Sequence, residues 1–119
     1  MRSYVLNSYI AFQNRLNVHS IIRNKVNELS EICKIFNVRR LYVFGSINTD
    51  IFDEQKSDID LIVELDQMYP IEKGETLIKL WDRFEELFER KVDLLSKTKV
   101  RNPYLQKGID TTKQLIYEA

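Results

Sequence analysis

An apolar run, Leu41-Tyr42-Val43-Phe44, ends in Gly45-Ser46, and eleven residues later Asp58-Ile59-Asp60-Leu61 opens a second run. In that second run Ile59, Leu61, Val63 and Leu65 fall on one face of an extended chain, and Asp58, Asp60 and Glu64 on the other. Only Ile62 breaks the polar face. The pattern predicts a strand, a tight turn, a polar loop, and a strand with one buried side and one chemical side. Carboxylates at i and i+2 share a face, with Cα atoms ~6.6 Å apart. Asp is depleted in strands, and like charges on one face repel unless a cation neutralises them. Hard cations such as Mg²⁺ take oxygen ligands of this kind, and two ions ~3.5–4 Å apart can share them. A Gly-Ser turn offers backbone N–H groups and a hydroxyl to phosphate oxygens. Each feature also has a plain structural reading: exposed Asp is ordinary, and a strand-ending turn favours Gly and Ser. Together they point to nucleotide chemistry.

At these residues the chain resembles the nucleotidyltransferase superfamily of DNA polymerase β, whose signature is a hydrophobic-Gly-Ser turn followed by Asp-x-Asp. More narrowly it is similar to the minimal nucleotidyltransferase (MNT) domain, over roughly residues 20 to 118. A third element, Lys91-Val92-Asp93-Leu94-Leu95, matches the family position of a third metal-binding carboxylate on a neighbouring strand. The resemblance implies that Asp58, Asp60 and Asp93 hold Mg²⁺, two ions in number, with ATP as substrate. It implies that Gly45 and Ser46 bind the triphosphate and that Asp93 helps to activate the attacking hydroxyl. It also implies a HEPN-domain toxin as partner, modified on a tyrosine, with this chain as the antitoxin. The chain departs from the family after Ser46. Many members carry an Ala-Arg-Gly there, whereas Thr49-Asp50 stands in that region and no Lys or Arg occurs between Gly45 and Lys56. Lys56, Arg90, Lys91 or a partner's side chain are the candidates to compensate.

The 119 residues suit one domain, 1–119, with a core over 20–118 and an N-terminal segment, 1–18, whose apolar residues follow no single period. A 44% hydrophobic content is enough to build a core. Eighteen basic residues balance eighteen acidic ones, which argues against a dedicated duplex-binding protein. Cys33 is the only cysteine, so no intrachain disulfide is possible, and with His19 it falls short of a zinc ligand set. No run approaches the eighteen or more apolar residues of a membrane span, and a cytoplasmic location is expected.

Helical spacing runs from Ile21 to Phe36, with Ser20 as the expected cap, and from Leu77 to Phe88, where Trp81 and Phe84 are expected in the core. Pro70 and Gly74 read as a linker before that second helix. Asn102-Pro103 reads as an N-cap and first-turn proline, and Gln114 to Tyr117 as either more helix or a strand. The expectation is an α/β (α+β) domain, a small mixed sheet with helices packed on one face. Two function classes follow. One is a transferase moving AMP to a hydroxyl on a partner protein, an RNA or a small molecule. The other is a non-catalytic module that neutralises its partner by forming a complex.

Overall fold

The computed structural model describes residues 19–45, 58–66, 69–97 and 102–119. The expectations for segment 1–18, Ser46, the following loop and a helix near Ile47 lie outside the described residues. The elements run α1 (Ser20–Arg23), α2 (Val26–Ile35), β1 (Val38–Phe44), β2 (Ile59–Leu65), α3 (Pro70–Phe88), β3 (Val92–Ser96), α4 (Pro103–Thr112) and β4 (Gln114–Glu118). Among the described residues four strands form one mixed sheet in the order β3-β2-β1-β4. β1 lies antiparallel to β2 and β4, whereas β2 and β3 are parallel, joined through α3 as a parallel pair requires.

Alternation along the strands assigns their faces. Leu41 and Val43 of β1, Ile59, Leu61, Val63 and Leu65 of β2, and Val92 and Leu94 of β3 turn to one side. There they meet Leu29, Ile32 and Cys33 of α2 and Leu80, Phe84 and Phe88 of α3. Burying a side chain of this size contributes about 1.5–3 kcal/mol, so this layer supplies most of the stability. Cys33 is part of it, and burial pushes its thiol pKa upward, which makes it an inert core residue.

The helices expected on one face do lie there, apart from α4. Ile109 of α4 packs on the other side of the sheet against Phe44 and Ile62, with Tyr42 and Leu95 beside them. The interruption of the polar face at Ile62 is therefore a seat for α4. Beyond α4, β4 adds the second of the two alternatives for the C-terminal run.

Three local details differ from the sequence reading. The first helix begins at Ser20, but its cap is His19, whose Nδ1 accepts from the Ile21 amide at 3.1 Å. The apolar stripe from Ile21 to Phe36 is broken into α1 and α2 at Asn24-Lys25. Pro70 and Gly74 are not a linker: Pro70 occupies the first turn of α3, where its missing N–H costs nothing, and Gly74 lies inside the helix. The helix outlasts that glycine because its buried face anchors it on the sheet. Asn102 behaves as expected, its side chain accepting from the Tyr104 amide at 2.9 Å. Among the described residues no helix is long and apolar enough to cross a membrane.

Candidate active site

The face of the sheet that carries α4 shows a ladder of three rungs among the described residues. Register places Arg40 against Glu64, Tyr42 against Ile62 and Leu95, and Phe44 against Asp60 and Asp93. The first rung is ionic: Arg40 bonds Glu64 at 3.1 Å and Glu118 at 2.6 Å, and Lys97 reaches Glu64 at 3.4 Å. The second is apolar and covered by Ile109. The third carries the carboxylates. Asp60 and Asp93 are direct cross-strand partners, so two acidic groups that lie 33 positions apart in sequence stand side by side.

This juxtaposition changes Asp60. Burial, then the neighbouring charges of Asp93 and Asp58 and a hydrogen bond shared with Asp93, push its carboxyl pKa up to about 6. Desolvation and like charge both disfavour the ionised form. Asp58, two residues before Asp60 and just outside β2, is half exposed and stands 4.0 Å from the Lys91 amino group. Lys91 thus borders the carboxylates from the strand side, and Lys56 lies outside the described residues. The Lys91 side chain is 71% exposed.

Above Asp60 lies the turn that ends β1. Gly45 has φ +79°, a conformation that L side chains rarely adopt, and a Cβ at this position would stand 2.5 Å from an Asp60 carboxylate oxygen. The Gly45 amide donates to Thr112 Oγ1 at 2.9 Å, and that hydroxyl donates in turn to the Gly108 carbonyl at 2.6 Å. The last turn of α4 thus anchors the glycine turn. Periodicity gave no signal for Thr112, which looks like any helix-end threonine until α4 is folded onto the sheet.

The donor set suits a hard cation in kind, since all three side chains are carboxylates and their mutual repulsion is what an ion would relieve. Among the described residues no group of three His, Cys, Asp or Glu side chains is gathered closely enough to hold a metal ion. Mg²⁺ demands near-octahedral geometry and reaches it with one or two carboxylates together with substrate phosphates and water, so a full trio is not required. The groove between α2 and α3, with Glu28, Ile32, Arg83 and Glu86 in its walls, contains none of these residues.

A mixed sheet with a glycine turn poised over paired acidic residues is the architecture of a nucleotidyltransferase. The family model described as Polymerase beta, Nucleotidyltransferase matches residues 27–119, and the chain belongs to that family. A relative from Methanocaldococcus jannaschii, named as a candidate protein adenylyltransferase, is 34% identical over 100 residues, covering 84% of this chain and 93% of the relative. Two solved structures share the fold. One is named as a candidate minimal nucleotidyltransferase (TM-score 0.56, 22% identity, 77% of this chain and 89% of that one). The other is a tri-AMPylated Shewanella oneidensis HEPN toxin in complex with MNT antitoxin (TM-score 0.53, 20% identity, 82% of this chain and 72% of that one).

Proposed function

We infer that this chain is a Mg²⁺-dependent adenylyltransferase that moves AMP from ATP onto a hydroxyl of a partner protein, a tyrosine of a HEPN-type toxin, and so acts as an antitoxin. The observation that carries this is the pairing of Asp60 with Asp93 under the Gly45 turn, in a chain of nucleotidyltransferase family. The relative's name supports AMP as the transferred group, and the AMPylated toxin in the MNT complex supports a protein acceptor. The location proposed is cytoplasmic.

Asp58, Asp60 and Asp93 would hold the ions, two of them, which when bound neutralise phosphate charge and favour ionisation of the attacking hydroxyl. Gly45 and Ser46 would receive the β- and γ-phosphates, and a side chain at position 45 would crowd Asp60. Asp93, on the edge strand, accepts the hydroxyl proton as the oxygen attacks the α-phosphorus. One P–O bond forms, the bond to the β-phosphate oxygen breaks, and pyrophosphate leaves. Lys91, 4.0 Å from Asp58, would meet phosphate charge once Asp58 turns to an ion. Positioning and charge neutralisation supply most of the acceleration in chemistry of this kind.

Incubation with α-labelled ATP, Mg²⁺ and the protein encoded beside this chain tests the reading. Metal-dependent label on the partner, lost in Asp58→Asn/Asp60→Asn, is expected. Label on RNA or a small molecule alone would overturn the protein acceptor.

The absence of Lys or Arg between Gly45 and Lys56 favours a second reading, neutralisation by complex formation alone. Undiminished neutralisation by Asp60→Asn would establish it.

A further inference from the structure

Among the described residues β3 lies at one end of the sheet, and an edge turns a row of backbone groups away from its neighbouring strand. The Ile59 amide donates to the Lys91 carbonyl at 3.2 Å, so the groups that β3 turns toward β2 belong to its odd-numbered residues. Val92 therefore presents its own N–H and C=O outward. Both are taken by side chains of α3. Trp81 Nε1–H donates to the Val92 carbonyl at 2.5 Å, and the Val92 N–H donates to the Glu85 carboxylate at 3.0 Å. Trp81 and Glu85 are four residues apart and project from the same side of the helix. The Val92 side chain is fully buried, so the residue is fixed on three sides. The next residue is Asp93.

We propose that Trp81 and Glu85 are positioning residues of the transfer site, a proposal that rests on the nucleotidyl-transfer reading above. The clamp sets where β3 stops along β2, and with it the distance between the Asp60 and Asp93 carboxylates. Hydrophobic alternation selects the register of β3 only in steps of two residues. It does not set position to a fraction of an ångström, which shared ion ligation and in-line attack both require. Protecting an edge from aggregation takes no such pair, since a lysine, a proline or a short strand suffices. Trp81 itself is 37% exposed, short of the core placement expected for it, because its indole is held at the sheet edge by the N–H bond.

The test uses the full chain with Trp81→Phe, Glu85→Ala and Glu85→Gln, and Asp60→Asn as control. Trp81→Phe keeps an aromatic ring and removes the donor; Glu85→Gln keeps an acceptor oxygen. Mn²⁺ affinity by electron paramagnetic resonance, thermal melting, and kcat and KM for transfer are measured on each. Expected for Trp81→Phe and Glu85→Ala is a loss of about 10–100-fold in Mn²⁺ affinity and in kcat, the range typical of residues that orient metal ligands. The KM for ATP should stay within about twofold, and Glu85→Gln should restore most of both losses. Folded variants with wild-type Mn²⁺ affinity and kcat, whatever their melting temperature, would overturn the proposal. If Glu85→Ala fails to fold, Trp81→Phe and Glu85→Gln decide. If the wild type binds Mn²⁺ but transfers nothing to the partner, the Mn²⁺ series decides alone. A wild type that neither binds Mn²⁺ nor transfers label removes the transferase reading and this proposal with it.

Discussion

Gly45 and Asp60 approach closely: a Cβ on the first residue after β1 would meet the Asp60 carboxylate oxygen at 2.5 Å, so that side chain would have to turn away. The positive φ of Gly45 adds backbone strain to that clash for any other residue. Gly45→Ala should therefore cost about 1–3 kcal/mol of stability and displace Asp60. Transfer should fall by about 100-fold, since a 1 Å misplacement near reacting groups has that effect. Denaturant unfolding and a labelled-ATP assay measure the two effects, and an Ala variant of wild-type activity would show the clash to be relieved elsewhere.

Gly74 is the contrasting case. Nothing lies within 4 Å of a Cβ built there, and the residue sits inside α3. Gly74→Ala should stabilise the fold by about 0.4–1 kcal/mol, by restricting the unfolded chain, and leave transfer unchanged. Thermal melts of the two glycine variants, run side by side, should move in opposite directions.

Asp60 links the site to stability through pH. Its folded pKa, about 6, is raised above the ordinary value of 3.8, so the folded state binds the proton more tightly than the unfolded chain does. The resulting stabilisation is fully present below pH 4 and is lost as pH rises through 6. In the absence of metal, Asp60→Asn should remove this pH dependence between about 4 and 6 and melt higher than wild type at pH 8, while losing transfer. Added Mg²⁺ should raise the wild-type melting temperature at pH 8 and leave that of Asp60→Asn nearly unmoved. Equal Mg²⁺ shifts in both proteins would count against Asp60 as a ligand.

Thr112 supports the glycine turn from α4, accepting the Gly45 N–H at 2.9 Å. Thr112→Val preserves shape and removes the acceptor, at an expected cost of about 1–3 kcal/mol for the orphaned amide if water does not replace it. If the turn binds phosphate, as proposed, the KM for ATP should rise several-fold more than kcat falls, because the turn would take no part in bond making. A change confined to kcat would place Thr112 in a different role.

Lys91 and Asp58 are both at the surface, and exposed pairs of this kind contribute about 0–1 kcal/mol. Lys91→Ala should thus leave the melting temperature nearly unchanged. If Lys91 supplies the cation missing from the loop, ATP affinity should drop by about tenfold, with a weaker effect at high salt, where charge is screened. Wild-type ATP affinity in this variant would leave the cation to Arg90, Lys56 or a partner.

Much of this protein was legible before folding. The two faces of β2, the carboxylates on its polar side and the turn at Gly45 are consequences of period-two alternation and of glycine's access to positive φ, both acting over a few residues, whereas Asp93 was singled out by the family resemblance. The cap at Asn102-Pro103 was legible for the same local reason. His19 was read as a helix-start residue, but the capping role was given to Ser20 because imidazole is an uncommon acceptor at that position and a serine hydroxyl a common one. Trp81 was read as core because spacing tells which side of a helix is apolar, but not that the ring lies at a sheet edge with a carbonyl in reach.

What only the tertiary structure decided is which groups meet. Local pattern set Asp60 on a polar strand face and the resemblance set Asp93 on a neighbouring strand, but their direct pairing depends on the parallel register of β2 and β3 across the whole of α3. The placement of Thr112 beneath Gly45 depends likewise on α4 packing against Phe44 and Ile62. Alternation and propensity are short-range and can be read along the chain. Register and cross-sheet contact arise from packing between segments distant in sequence, and they exist only once the core has closed.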